Sequence, residues 1–93
     1  MSERSLDNKI ILVTGSARRI GATIVTRLHA EGARVAIHYR GSAEAATELA
    51  GNLNAIRPDS AATFQADLLL TDDVPRLVDE VLAWGGRLDA LVN

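Results

Sequence analysis

Val13-Thr14-Gly15-Ser16-Ala17-Arg18-Arg19-Ile20-Gly21 stands between an apolar run, Ile10-Ile11-Leu12-Val13, and an amphipathic run that begins near Arg19. A short apolar strand, a glycine-bearing turn and a helix start, in that order, make a site for a phosphate. The first N–H groups of a helix lack intrahelical acceptors, and the helix dipole adds positive potential there. Gly15 allows a sharp turn, and Gly21 allows helix and strand, or backbone and ligand, to approach closely. Arg18 and Arg19 strengthen the reading, because guanidinium groups pair with phosphate oxygens. The spacing matches neither G-x-G-x-x-G nor the P-loop, whose Gly-Lys-Ser/Thr ending is absent. The alternative is a strand-to-helix turn whose glycines only pack.

Outward from this turn, four apolar segments alternate with three helical patterns. The first strand is read over Lys9 to Val13 and the first helix over Arg19 to Glu31, with Gly32 as its stop. Ile20, Ile24, Val25 and Leu28 share one helical face. Val35 to Tyr39 reads as the second strand. Ser42 is a natural N-cap for a second helix, with Glu44 placed to favour its dipole. Ala46, Leu49, Leu53 and Ile56 form its apolar stripe, and Pro58 pushes Arg57 out of the helical region. A third strand is expected over Ala62 to Ala66. A third helix is expected from Asp72, since Pro75 is tolerated only in the first turn. Val74, Leu77, Val78, Val81 and Leu82 carry its periodicity, and Gly85-Gly86 stops it. Leu88 to Val92 is the fourth strand.

The first two strands are apolar at almost every position, as in parallel strands covered on both faces. With right-handed crossovers, β-α-β-α-β-α-β gives an open, doubly wound α/β sheet of the Rossmann type. The expected strand order is 3-2-1-4, with the ligand crevice at the carboxyl ends. The sequence stops at Asn93 as the fourth strand finishes and leaves an apolar edge. Residues 1–93 therefore read as the N-terminal part of one dinucleotide-binding domain, itself incomplete.

Composition removes several function classes. A formal net charge of −2 lacks the basic excess of a general nucleic-acid binder. With no cysteine, disulfides and thiolate zinc sites are excluded, and His29 and His38 are too few for a metal centre. No apolar run approaches the ~18 residues of a membrane span, and Met1 to Asn8 has no signal-peptide core. The expectation is a cytoplasmic protein with no nucleic-acid or membrane partner. His29 is read as solvated, and Trp84 as a packing residue.

The end of the second strand selects the ligand. An acid about 20 residues after the glycine turn would bind a ribose 2′-hydroxyl. Here the strand ends His38-Tyr39-Arg40-Gly41-Ser42, with no acid. Arg40 brings charge, Ser42 a hydroxyl at a helix start, and Arg18 lies across the turn. A 2′-phosphate fits better, and NADP(H) is the expected cofactor. The alternative for Arg40 is a solvated loop arginine, and His38 more readily completes a strand than serves chemistry. Asp67 follows the third strand, where a carboxylate can accept from an adenine amine; its alternative is an ordinary turn aspartate. Reduction of a carbonyl or imine also needs a proton donor, often a Tyr whose pKa a Lys lowers. The only Tyr and Lys are Tyr39 and Lys9, and they form no Tyr-x-x-x-Lys pair. No catalytic residue is assigned.

Thr14-Gly15-Ser16-Ala17-Arg18-Arg19-Ile20-Gly21, Asp67-Leu68 and Leu91-Val92-Asn93 together resemble the N-terminal half of a short-chain dehydrogenase/reductase. The usual family turn is T-G-x-x-x-G-(I/L)-G. Arg19 replaces its middle glycine, as in the pteridine reductase branch, which His38-Tyr39, Ser42 and Leu53 to Ser60 also resemble. The resemblance implies that Gly15, Arg19, Ile20 and Gly21 line the pyrophosphate and nicotinamide side, and Ser16 is expected among the cofactor-binding residues. It implies that Tyr39, Arg40 and Ser42 surround the adenosine ribose phosphate, and Arg18 and His38 are expected among the cofactor-binding residues. Asp67 and Leu68 would hold the adenine, and Asn93 would begin the segment after the fourth strand. It further implies an NADPH-dependent reductase of a pteridine-like substrate, tetrameric when intact, whose catalytic Tyr and Lys lie beyond Asn93. The 93 residues alone are then expected to be inactive. Two other readings stay open: a reductase of a sugar, ketone or acyl chain, and a non-catalytic dinucleotide-binding module.

Overall fold

A computed structural model describes residues 5–93. Its elements run β1 (Ile10–Val13), α1 (Arg19–Ala30), β2 (Arg34–Tyr39), α2 (Ala43–Ile56), β3 (Ala61–Gln65), α3 (Asp73–Gly85) and β4 (Ala90–Val92). All three pairings are parallel, and the order is β3-β2-β1-β4, the doubly wound arrangement expected from the alternation of elements. Side chains alternate across the pleat. Ile11, Val13, Val35 and Ile37 face α1 and α2 and pack with Val25, Ala46, Ala50 and Leu53. Ile10, Leu12, Ala36 and Phe64 face α3 and pack with Leu77 and Val81. Because both faces are covered, β1 is buried at every position, which is why its sequence does not alternate.

β4 is shorter than Leu88 to Val92. The Asp89 carboxylate accepts the Ile10 N–H at 2.8 Å, doing with a side chain what another strand residue would do with its backbone. Arg87 and then that N–H hold the Asp89 carboxyl below the ordinary carboxylate range. α3 begins after Asp72 with Pro75 in its first turn, where the missing N–H costs no helical bond. Ser42 occupies the N-cap of α2, and its carbonyl accepts the Ala46 N–H at 2.9 Å, but its hydroxyl makes no capping bond. Trp84 packs edge-on to Phe64, with the Arg34 guanidinium 4.5 Å from its ring centre.

Two expectations for side chains are corrected. His29 is not solvated but 2% exposed. It lies one turn beyond Val25 on the buried face of α1, and its Nε2–H donates to the Ser60 hydroxyl at 2.6 Å. Ser60 in turn donates to the Arg57 carbonyl. Burial, and then the Arg57 charge, push the imidazole pKa below its ordinary value. Conversely, Ile20 was expected in the apolar stripe and is 78% exposed. It sits at the first turn of α1, past the carboxyl end of the sheet, where no strand remains to cover it.

Candidate cofactor site

The site is built on the turn between β1 and α1. Gly15 has φ +59°, a conformation that costs a glycine little. Its N–H donates to His38 Nδ1 at 2.8 Å, and the next N–H, of Ser16, donates to the His38 carbonyl at 3.0 Å. The Ser16 hydroxyl donates to the Val13 carbonyl at 2.7 Å, closing the turn on its own strand. Thr14 ties the turn to β4: its N–H donates to the Val92 carbonyl at 2.9 Å, and its hydroxyl lies 3.2 Å from Asn93 Oδ1. Gly21 lies against this turn, and a Cβ there would stand 2.6 Å from the Ser16 Cα and 2.7 Å from the Gly15 carbonyl oxygen. Only a glycine lets α1 start this close to the strand.

Arg19 also has a left-handed backbone, φ +55°. A non-glycine residue there crowds its own Cβ, at a cost of about 1–2 kcal/mol. Arg18, Arg19 and Ile20 are exposed at the helix start, where the dipole is positive and the first N–H groups have no intrahelical acceptor.

Beside the turn, Gly15, Ala17, Arg18, Tyr39, Arg40, Gly41 and Ser42 line a cleft of about 220 Å³. Asp67 stands outside this lining, next to Arg40. The Arg40 Nε stands 3.7 Å from Asp67 Oδ2, and Asp67 Oδ1 accepts the Leu69 N–H at 3.0 Å. The Asp67 N–H donates to the Asp73 carboxylate at 2.8 Å. That bond first, and the Arg76 guanidinium after it, hold the Asp73 carboxyl below the ordinary range. Leu68 is exposed next to Asp67.

The structure thus brings Gly15, Arg18, Tyr39, Arg40 and Ser42 to one cleft, and sets Arg19, Ile20 and Gly21 on the helix start above it. Asp67 stands beside Arg40, with Leu68 exposed next to it, and Asn93 sits beside Thr14. Two expected contact residues lie behind the turn. Ser16 is fully buried and bonded to Val13, and His38 is 4% exposed with both ring nitrogens engaged inside the fold. Ala17 and Gly41 line the cleft without having been singled out. Neither carries a functional group, so only their chain neighbours pointed to them.

A sequence profile of the short chain dehydrogenase family matches residues 9–93. The chain belongs to that family. Its members are oxidoreductases that bind nicotinamide dinucleotides. Pteridine reductase 1 of Leishmania tarentolae is 43% identical over 90% of this chain and 35% of its own. A hydroxynaphthalene reductase of Aspergillus fumigatus is 42% identical over 95% of this chain and 32% of its own. A 3-oxoacyl-(acyl-carrier-protein) reductase of Staphylococcus aureus is 41% identical over 91% and 34% respectively. The chain spans about a third of the length of these curated relatives. Among the described residues, no helix is long and apolar enough to cross a membrane.

Proposed function

We propose that residues 1–93 are the N-terminal part of one dinucleotide-binding domain in an NADPH-dependent reductase, with pteridines as its substrate class. One observation carries the cofactor choice: Arg40 and Ser42 line the cleft where β2 ends, and β2 contributes no carboxylate there. A ribose 2′-phosphate would meet a guanidinium and an uncommitted hydroxyl, with Arg18 across the turn. A carboxylate that would prefer the 2′-hydroxyl is absent from that position. Gly15, Arg19, Ile20 and Gly21 would hold the pyrophosphate and nicotinamide side, and Asp67 with Leu68 the adenine. Bound NADPH would supply a hydride to a ring C=N bond. The 93 residues hold no Tyr-x-x-x-Lys pair to supply the matching proton, so alone they are read as inactive. The intact protein is read as a cytoplasmic homotetramer.

Titration of the full-length protein with NADPH and NADH tests this. NADPH should bind at least about tenfold more tightly, the worth of one charge-assisted hydrogen bond. Equal affinity, or a preference for NADH, overturns the cofactor assignment.

Arg19 in the turn and the 43% identity to a pteridine reductase support the pteridine class. The similar identities to reductases of hydroxynaphthalene and 3-oxoacyl chains support a second reading, reduction of a carbonyl. A panel of dihydrobiopterin, dihydrofolate, a cyclic ketone and a 3-oxoacyl thioester separates the two by kcat/KM.

A further inference from the structure

His38 is a polar residue at the end of the buried run of β2. It follows Val35-Ala36-Ile37, is nearly inaccessible, and yet leaves no ring nitrogen unpartnered. A buried imidazole must satisfy both nitrogens. Here the partners lie on two different connections. Nδ1 accepts from the Gly15 N–H at 2.8 Å, in the turn after β1. Nε2 lies 2.9 Å from the Ala66 carbonyl, one residue before Asp67 in the connection after β3. Because a backbone N–H can only donate, Nδ1 must be bare, and the proton must sit on Nε2 to reach Ala66. The carbonyl of the same residue takes the next N–H of the turn, from Ser16. One residue on β2 therefore fixes two consecutive N–H groups of the turn after β1 and ties that turn to the connection after β3.

We propose that His38 is a positioning residue for the dinucleotide, acting through Gly15 in a single Nε2–H tautomer. The inference rests on the dinucleotide reading of the cleft. Gly15 is the residue with the most backbone freedom in the turn, and at its φ of +59° a Cβ would meet nothing within 4 Å. The imidazole supplies a constraint there. It turns the Gly15 and Ser16 N–H groups back into the fold, so a phosphate must meet the N–H groups that follow, at the start of α1. A ligand arriving at a turn already held in this way does not bear the cost of ordering it.

Two isosteric replacements separate the nitrogens. The Oδ1 of asparagine stands near the position of Nδ1 and accepts from Gly15, with nothing to reach Ala66. The Nε2 of glutamine stands near the position of the ring Nε2 and donates to Ala66, with nothing to accept from Gly15. In the full-length protein, His38→Asn should keep NADPH affinity within about threefold, whereas His38→Gln should lose about tenfold, one hydrogen bond's worth. The Gly15 amide, followed by hydrogen exchange without ligand, should be protected in the wild type and His38→Asn and unprotected in His38→Gln. Equal protection in the two variants overturns the inference. So does a protonated Nδ1 in the imidazole ¹⁵N spectrum of the wild type, which needs no variant to fold. If the wild type binds no dinucleotide, the reading of the cleft fails, while Gly15 exchange still decides the role of His38 in the turn.

Discussion

The two ends of the sheet are each pinned by a buried histidine, and they differ in what they leave unpaired. At the amino end of β2 and β3, polar groups close on one another. His29 meets Ser60, and Asn54 accepts the Ser60 and Ala61 N–H groups at 2.9 and 3.0 Å and donates to the Ala61 carbonyl. Arg57 caps the carbonyls of His29 and Ala33 at 3.1 and 2.6 Å. At the carboxyl end, His38 closes only the back of the turn. Its front exposes Arg18, Arg19, the helix start and a Ser42 hydroxyl without a capping role. Since folding satisfies polar groups wherever it can, an end that is fully braced behind and unpaired in front is organised for something other than the fold. The two ends should therefore answer differently to substitution: the amino end in stability alone, the carboxyl end in stability and binding.

The largest effect belongs to the amino end. His29→Ala should cost about 3 kcal/mol, from the cavity and from the buried Ser60 hydroxyl left without its donor, and should leave NADPH affinity unchanged. Urea unfolding and a binding titration on the same protein check both halves, and a matching loss of affinity would erase the distinction between the ends. The same residue gives an acid limb. Its pKa in the fold lies below the unfolded value of about 6.5, so the unfolded chain binds more protons and stability rises with pH. The His29 contribution is full above the unfolded pKa and is lost as pH falls from there through the folded pKa. His29→Gln, which keeps a donor to Ser60 but cannot titrate, should flatten this limb in urea midpoints measured from neutral to mildly acidic pH.

Gly21→Ala probes the carboxyl end with a smaller effect. The added methyl meets the Ser16 Cα and the Gly15 carbonyl, both backbone, so α1 or the turn must shift. Overpacking of this kind costs about 2 kcal/mol after the better helix propensity of alanine is allowed for. Because the shift displaces the turn after β1, NADPH affinity should fall with stability. A variant that loses one without the other shows that the helix can move independently of the turn.

Much of the fold, and part of the candidate site, is legible in the sequence. The continuous apolar runs of β1 and β2 specify parallel strands covered on both faces, and Pro75 places the start of α3 to within a residue. The turn, Arg40 and Ser42 are readable because each carries its own chemistry at a known offset from a strand end. The roles of the histidines are not readable in the same way. His29 continues the stripe of α1 one turn after Val25, but its partner Ser60 lies 31 positions away, and only the crossover through β2 and α2 brings them together. The inward turn of Ser16 depends on the Gly15 dihedral, which no neighbouring residue type specifies. At the start of β4 the Asp89 N–H still donates to the Ile10 carbonyl at 2.8 Å, but the Ile10 N–H goes to the Asp89 carboxylate instead of a backbone carbonyl, a competition that apolar patterning does not register.

Arg19 sharpens the comparison most finely, because stability and binding should move in opposite directions there. Its φ of +55° strains an arginine and suits a glycine. Arg19→Gly should relieve about 1 kcal/mol of backbone strain, reduced by the greater freedom glycine gains in the unfolded chain. Its exposed guanidinium has no place in either core cluster, so little packing is lost. The same change removes a positive charge from the helix start, and NADPH affinity should fall several-fold. A urea midpoint that rises while the dissociation constant also rises is the expected pair. Stability unchanged or lowered would mean that the left-handed turn bears no strain. Affinity unchanged would mean that the dinucleotide is held without Arg19, and that the charge at this position serves another ligand of the intact site.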